Sequence, residues 1–542
     1  MTKFVNESTY KKYLESGHEA EFDSLFDKAV EKVKDSLLGG EFGMYIGGEK
    51  VSSHEKLTEL SPIDGSKIGT FQKGTREIAR RAVAAASKAF ETWESTDYKE
   101  RANWARKAAD TFSKEKFDLS AVLSIENGKS RYESIGEVDE AIDFLRYYAG
   151  VLEKNKGYVY KNQSAGSSSK ASAGFQGAPG RAESVTIKMR PYGVFGVIAP
   201  FNFPISISTG MSTGAIITGN TVVFKPSSTG NMTMLTGLKI YEAFNEAGLP
   251  PGVFNYITGP GSEIGDELVV NKDVAGIVFT GSRSVGLGMM KKTDELGIHK
   301  TFIVEMGGKN PVIVSKYADL DAAVAGIASS AFGFCGQKCS ATSRVYVHAD
   351  VKEEFIKRLV EKVSKFNVGN PLNKEVYMGP LISKGALEKY DGAVEEAKQQ
   401  GKILFGGRRV DVGLDGIYVE PTIAELDGQN KLYKEELFVP FIVIDKFKRF
   451  EDAINKANDI DYGLTAGLFS RRLSEIKRFF KDIQAGVTYV NREIGATTGA
   501  IVGLHSFVGW KDSGLTGKGT GSRFYLEQFM HEQSRSLIKL YR

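Results

Sequence analysis

Residues 191–224 read PYGVFGVIAPFNFPISISTGMSTGAIITGNTVVF and contain no charged side chain. The stretch is long enough to cross a bilayer. Its three prolines, several glycines, two asparagines and many hydroxyls argue against a membrane helix. The pattern instead predicts a buried strand (GVFGVIAP), a turn at FNFP, a helix, and a second buried strand (NTVVFKPS). Continuous apolar runs of this kind belong to parallel sheets covered on both faces, which makes the chain α/β.

The same alternation continues outward. GVFNYITG, VAGIVFTGS, KTFIVEM and SRVYVHAD are β-rich runs separated by helical patterns. Ligands of parallel sheets sit beyond the carboxyl ends of the strands. The residues standing there are polar: Asn202, Lys225, Gly281, Ser282 and Glu305. Upstream, the first forty residues read as helices ending at LLGGEFG, and Thr75 to Leu152 read as amphipathic helices. NQSAGSSSKASAGFQGAPGRAE reads as a flexible loop between the strand-like GYVYK and SVTIKM, which together make a long hairpin.

Composition removes several functions. With 41% hydrophobic and 25% charged residues, the 542-residue chain is an ordinary globular protein of two or three domains. Its net charge of +4 comes from interleaved bases and acids, with no basic stripe for nucleic acid. Six scattered histidines and two cysteines offer no metal-ligand spacing. The acidic N-terminus lacks the apolar core of a signal peptide, so a cytoplasmic location is expected, where thiols stay reduced.

Both cysteines stand in FGFCGQKCSA, residues 332–341. They are a redox or metal pair, two packing residues, or one reactive thiol beside an inert one. LDAAVAGIASSAF reads as a helix leading into a turn at Gly336, with Cys339 just before the next strand, a place that suits a reactive thiol. Cys335 reads as a core residue on the helix. GPGSEIG, residues 259–265, is a dinucleotide fingerprint with one residue too many, or simply a strand-to-helix turn.

Taken together, PFNFP, FKPS, FTGS, VEMGGKNP, GQKCSA and KEELFVP stand in the order and at the spacings of the aldehyde dehydrogenase superfamily, which the chain resembles from about residue 40 onward. The resemblance implies a Rossmann-like cofactor domain (41–153 and 191–304), an α/β catalytic domain (305–505) and a small β oligomerisation arm and tail (154–190 and 506–542), preceded by a helical extension (1–40). It implies Cys339 as nucleophile, Asn202 as oxyanion donor and Glu305 as the base that activates water, with Lys338 favouring the thiolate. NAD or NADP is the implied cofactor, held by Lys225, Ser228, Gly281, Ser282, Glu436 and Phe438, while GPGSEIG becomes a helix-start turn near the adenine. Ser228 stands where NAD-preferring members often carry a glutamate, and its lack of charge leaves room for a 2′-phosphate.

The extra N-terminal helices, the GFxGQKCSA form of the cysteine motif and YVNREIGATTGAIVGLHSF resemble the branch that oxidises glutamate γ-semialdehyde. There Ser340, Gly499 and Ala500 would hold the substrate's α-carboxylate, Phe203 and Phe507 would flank its chain, and Lys338 would also bind substrate. The expected partners are a small aldehyde and further copies of the chain, as a dimer or an assembly of dimers. Two other readings stay open: another semialdehyde dehydrogenase, such as one for succinate semialdehyde, and a thiol hydrolase with His505 as the base of Cys339.

Overall fold

The computed structural model describes residues 4–161, 183–227 and 233–538. The charge-free stretch folds as strand Val194–Ile198, helix Ser206–Ile217 and strand Thr221–Lys225, and only Ile207 of the helix escapes full burial. No helix among the described residues is long and apolar enough to cross a membrane.

The two strands pair in parallel inside a seven-stranded sheet. Its order is Thr301–Glu305, Val274–Thr280, Val194–Ile198, Thr221–Lys225, Phe254–Tyr256, then the antiparallel pair Met44–Ile46 and Glu49–Val51. From Val194–Ile198 the chain steps in one direction through two strands, then returns to lay Val274–Thr280 on the other flank. That reversal opens a crevice beyond the carboxyl ends of the two neighbours, where such sheets bind ligands. Residues 199–203 and 281–282 leave the sheet there.

A second seven-stranded sheet runs Gly401–Phe405, Thr422–Leu426, Phe441–Phe447, Thr342–His348, Asn310–Val314, Thr465–Phe469 and Val487–Val490, parallel except at the Gly401–Phe405 edge. Only residues 306–309 separate the last strand of the first sheet from Asn310–Val314 of the second. Asn310 pairs with Thr342. Glu305, at the carboxyl end of one sheet, and Cys339, three residues before Thr342, are therefore brought to the same cleft by topology alone.

The helical region after Thr75 is four helices: Arg76–Trp93, Tyr98–Lys114, Lys116–Asn127 and Arg131–Lys154. The first shows why they form. Thr75 caps the Ile78 N–H, and Ile78, Ala79, Ala82, Val83 and Ala86 recur at three- and four-residue steps to bury one face. Helices Thr9–Glu15 and Glu19–Ser36 precede them, and Phe26, Val30 and Val33 join the core that holds Leu123 and Ile125. Val159–Lys161, Glu183–Pro191 and Met530–Ile538 form an antiparallel three-stranded sheet, so both arms of the hairpin pair as read. Residues 162–182, the Ser/Gly/Ala-rich segment read as a loop, lie outside the described residues.

Candidate active site

A cavity of about 980 Å³ fills the crevice and the cleft between the sheets. Every residue that the resemblance assigns to catalysis, cofactor or substrate lines it except Ser228, which lies outside the described residues.

Cys339 sits where the turn after helix Leu320–Phe332 enters strand Thr342–His348. Asn310 Nδ2 donates to the carbonyls of Cys339 (2.8 Å) and Ala341 (2.9 Å), fixing this turn from behind. Gly308 gives it room, since a Cβ there would lie 2.6 Å from the Cys339 oxygen. Burial, and secondarily the carboxyls of Glu436 and Glu305, push the Cys339 thiol up, while the N–H groups of Ser340 and Cys339 reach Sγ and pull the other way. The expectation that Lys338 favours the thiolate is corrected here: its Nζ is engaged at 2.6 Å by Glu133. Cys335 lies in the turn Gly333–Gly336, past the end of the helix, with φ 55°. Its Sγ donates to the Gly379 carbonyl at 2.9 Å.

Asn202 is buried, and its Nδ2 donates to the Gln337 carbonyl at 3.1 Å, leaving the second amide hydrogen for another acceptor. Its own carbonyl accepts from Lys129 Nζ at 2.6 Å. Lys129 and Glu137 form a wholly buried ion pair. Glu137 Oε1 also accepts from the N–H groups of Ile205 (2.8 Å) and Ser206 (3.2 Å), and the Phe203 ring lies 3.7 Å from Lys129 Nζ. One ion pair thus clamps the whole FNFP turn.

Glu305 accepts from the Gly509 N–H at 3.1 Å. Burial pushes it up to about 8 against that hydrogen bond, the state of a carboxyl that can take or give a proton near neutrality.

The other half of the cavity suits a dinucleotide. Helix Arg283–Glu295 begins at the cavity with Ser282 as its cap, so first-turn N–H groups and the positive dipole end face it, as an anionic pyrophosphate requires. Lys225 stands at the end of its strand, Nζ donating to the Pro226 carbonyl at 3.1 Å, and burial lowers it to about 8. Glu436 is anchored by the Gly308 N–H at 2.8 Å, and burial raises it to about 7. Gly307 (φ 75°) makes space, for a Cβ would lie 2.4 Å from Glu436 Oε2. Phe438 (φ 61°) meets Phe201 edge-on, with ring centroids 5.8 Å apart. GPGSEIG holds one wide π-helical turn, Gly261–Gly265, leading into the short helix Asp266–Val270 at the cavity wall.

Phe203, Lys338, Ser340, Gly499, Ala500 and Phe507 line the cavity as well. His505 does not line the cavity, and its Nδ1 accepts from the Ile501 N–H at 3.0 Å. Sequence reasoning missed the wall supplied by helix Arg131–Lys154, where Glu133, Glu137, Glu140 and Phe144 line the cavity. Burial raises Glu140 to about 7. The signal was present as acids at positions 133, 137 and 140, one helix face. The same helix carries a second acidic stripe: Asp139 accepts from Thr9, and Asp143 from Asn6 and Glu7. Periodicity alone gives no reason to prefer one stripe over the other.

A doubly wound sheet with a helix N-terminus, a lysine and a glutamate on one side of a buried thiol is the layout of a dinucleotide-dependent α/β enzyme. The sequence profile of the aldehyde dehydrogenase family matches residues 50–534. This chain belongs to the aldehyde dehydrogenase family. It is 36% identical over 523 residues to 1-pyrroline-5-carboxylate dehydrogenase of Bacillus licheniformis, covering 95% of this chain and 96% of that one. Among solved structures it superposes on 1-pyrroline-5-carboxylate dehydrogenase from Thermus with bound NAD at a TM-score of 0.89, with 33% identity and 99% of both chains covered. Lactaldehyde dehydrogenase from Escherichia coli gives a TM-score of 0.83 and 31% identity, over 92% of this chain and 100% of that one.

Proposed function

We propose that this enzyme oxidises glutamate γ-semialdehyde, the open form of 1-pyrroline-5-carboxylate, to glutamate with NAD or NADP in proline breakdown. The names of its relatives support the substrate. The observation that carries the chemistry is the meeting of Cys339, Asn202 and Glu305 in the lining of one cavity, together with Lys225, Ser282 and Glu436.

In this reading the Cys339 thiolate adds to the aldehyde carbon, forming a C–S bond as the carbonyl π electrons move to oxygen. That oxyanion is held by Asn202 Nδ2–H and the Cys339 N–H, donors already fixed by Gln337, Lys129 and Asn310. The dinucleotide, when bound, supplies the hydride acceptor, and Lys225, Ser282 and Glu436 are the residues to hold it. A thioester then remains on Sγ. Glu305 takes a proton from water, the new C–O bond forms, and the C–S bond breaks to return the thiolate. Gly499 and Ala500 present backbone N–H groups to the substrate's carboxylate, and the Phe203 and Phe507 rings flank its chain.

The chain assembles through the sheet of Glu183–Pro191 and Met530–Ile538, a reading supported by the exposure of residues 531–537 along the outer strand. A cytoplasmic setting agrees with two free thiols. The test is nicotinamide reduction measured with glutamate γ-semialdehyde, succinate semialdehyde and pentanal. The highest kcat/KM is expected for the first. A preference for succinate semialdehyde removes the substrate assignment, and no reduction with any aldehyde removes the dehydrogenase reading.

A further inference from the structure

Arg492 lies behind the loop that carries Gly499 and Ala500. Its Nη2 donates to the Gly499 carbonyl, and its guanidinium stacks 4.4 Å from the centre of the Tyr489 ring. Tyr489 in turn meets His505 edge-on at 5.7 Å, and His505 Nδ1 accepts from the Ile501 N–H at 3.0 Å. The loop from Gly499 to His505 is therefore held at both ends. Arg492 Nη1 is buried beside Tyr489 without a hydrogen bond of good geometry, so Nη2 carries the polar work of this cation.

The consequence follows from peptide geometry. The Gly499 C=O and the Ala500 N–H belong to one trans peptide plane, where they point in opposite directions. Holding the carbonyl toward Arg492 turns the Ala500 N–H away from Arg492. Gly499 and Ala500 line the cavity while Arg492 does not, and neither of their N–H groups donates to another group among the described residues. A charged donor on the carbonyl also polarises the peptide and strengthens its N–H as a donor. Gly499 has φ 78°, and a Cβ there would lie 3.3 Å from Arg492 Nη2, so its turn is adapted to this contact.

We infer that Arg492 is the positioning residue that aims and polarises the Gly499–Ala500 peptide for a substrate carboxylate, and so sets this enzyme's preference for aldehydes that carry one. The inference rests on the assignment of these two residues to the carboxylate. It differs from direct recognition by an arginine side chain, since the cation acts through a peptide and stays behind the cavity wall.

Steady-state kinetics of Arg492→Gln and Arg492→Lys with glutamate γ-semialdehyde and with pentanal test it. Arg492→Gln is expected to raise KM for the semialdehyde at least tenfold, with kcat within about threefold and kcat/KM for pentanal within about twofold. Arg492→Lys, which keeps the charge and one donor, should fall between. A second readout needs no turnover: glutamate should protect Cys339 from iodoacetamide in the wild type, and the half-protecting concentration should rise at least tenfold in Arg492→Gln. Unchanged KM and protection overturn the inference, and so does an equal loss with both aldehydes, which marks a structural role. A wild type that itself shows no preference for the semialdehyde over pentanal defeats the carboxylate assignment instead.

Discussion

The two halves of the cavity, one proposed for the dinucleotide and one for the aldehyde, are built by different means. The first is made from strand ends and a helix start: Lys225 closes one strand, Gly281 and Ser282 follow another, and Glu436 hangs on the Gly308 N–H. The second is assembled from side chains and turns that come from four distant segments, around residues 133–144, 202–207, 338–340 and 498–507. Backbone placement makes the first half a property of the fold. The second depends on particular ion pairs and loop contacts, so it can vary between relatives sharing the same sheets.

Cys339 stands at the junction, and its replacement separates the halves most sharply. Cys339→Ala should lower turnover by at least about 10³-fold, while the dissociation constant for the dinucleotide moves less than about twofold. Loss of both together would mean that the halves are not independent.

Glu305→Gln should cost about 10²- to 10³-fold in turnover and leave a burst of roughly one reduced nicotinamide per site, because the thioester forms but water is no longer activated. The carboxyl is raised to about 8 and works as a base only when ionised. Turnover limited by thioester hydrolysis should therefore climb as pH rises toward 8 and level off above it, a limb that vanishes in Glu305→Gln. A full-sized pH limb in the variant would assign it to another group.

In the aldehyde half, Lys129→Met leaves Glu137 without its counter-cation in a fully buried place. Breaking a buried pair costs about 3–5 kcal/mol, read as a lower denaturant midpoint, and Asn202 loses the donor on its carbonyl. The double variant Lys129→Met/Glu137→Leu should recover part of the stability. No recovery would show that the FNFP turn, rather than the stranded charge, dominates the loss.

The smallest effect belongs to Cys335→Ala, expected to keep turnover within about twofold and to cost about 1 kcal/mol for one weak hydrogen bond and a small buried volume. Matching behaviour of the two cysteine variants would revive the redox-pair reading.

Much of this was legible in the sequence. The apolar runs gave the parallel strands, and the polar residue after each run gave Asn202, Lys225, Ser282 and Glu305, because a strand's carboxyl end is where a parallel sheet meets its ligand. The helix Arg131–Lys154 was legible as a helix, but its two acidic stripes were not distinguishable. One faces the cavity and the other meets Asn6, Glu7 and Thr9 only because the N-terminal segment packs where it does. Lys338 teaches the same lesson, since a neighbour in sequence is not a neighbour in charge: its ammonium turns to Glu133, some two hundred residues upstream.

The sequence by itself determined the strands, their order of appearance and the chemical types at their ends, because these depend on local periodicity and on burial of a sheet from both faces. Only the tertiary structure decided which charges meet: Lys129 with Glu137, Lys338 with Glu133, and Arg492 with the Gly499 carbonyl. Long charged side chains reach partners by direction and distance in space, and neither is written in the spacing along a chain.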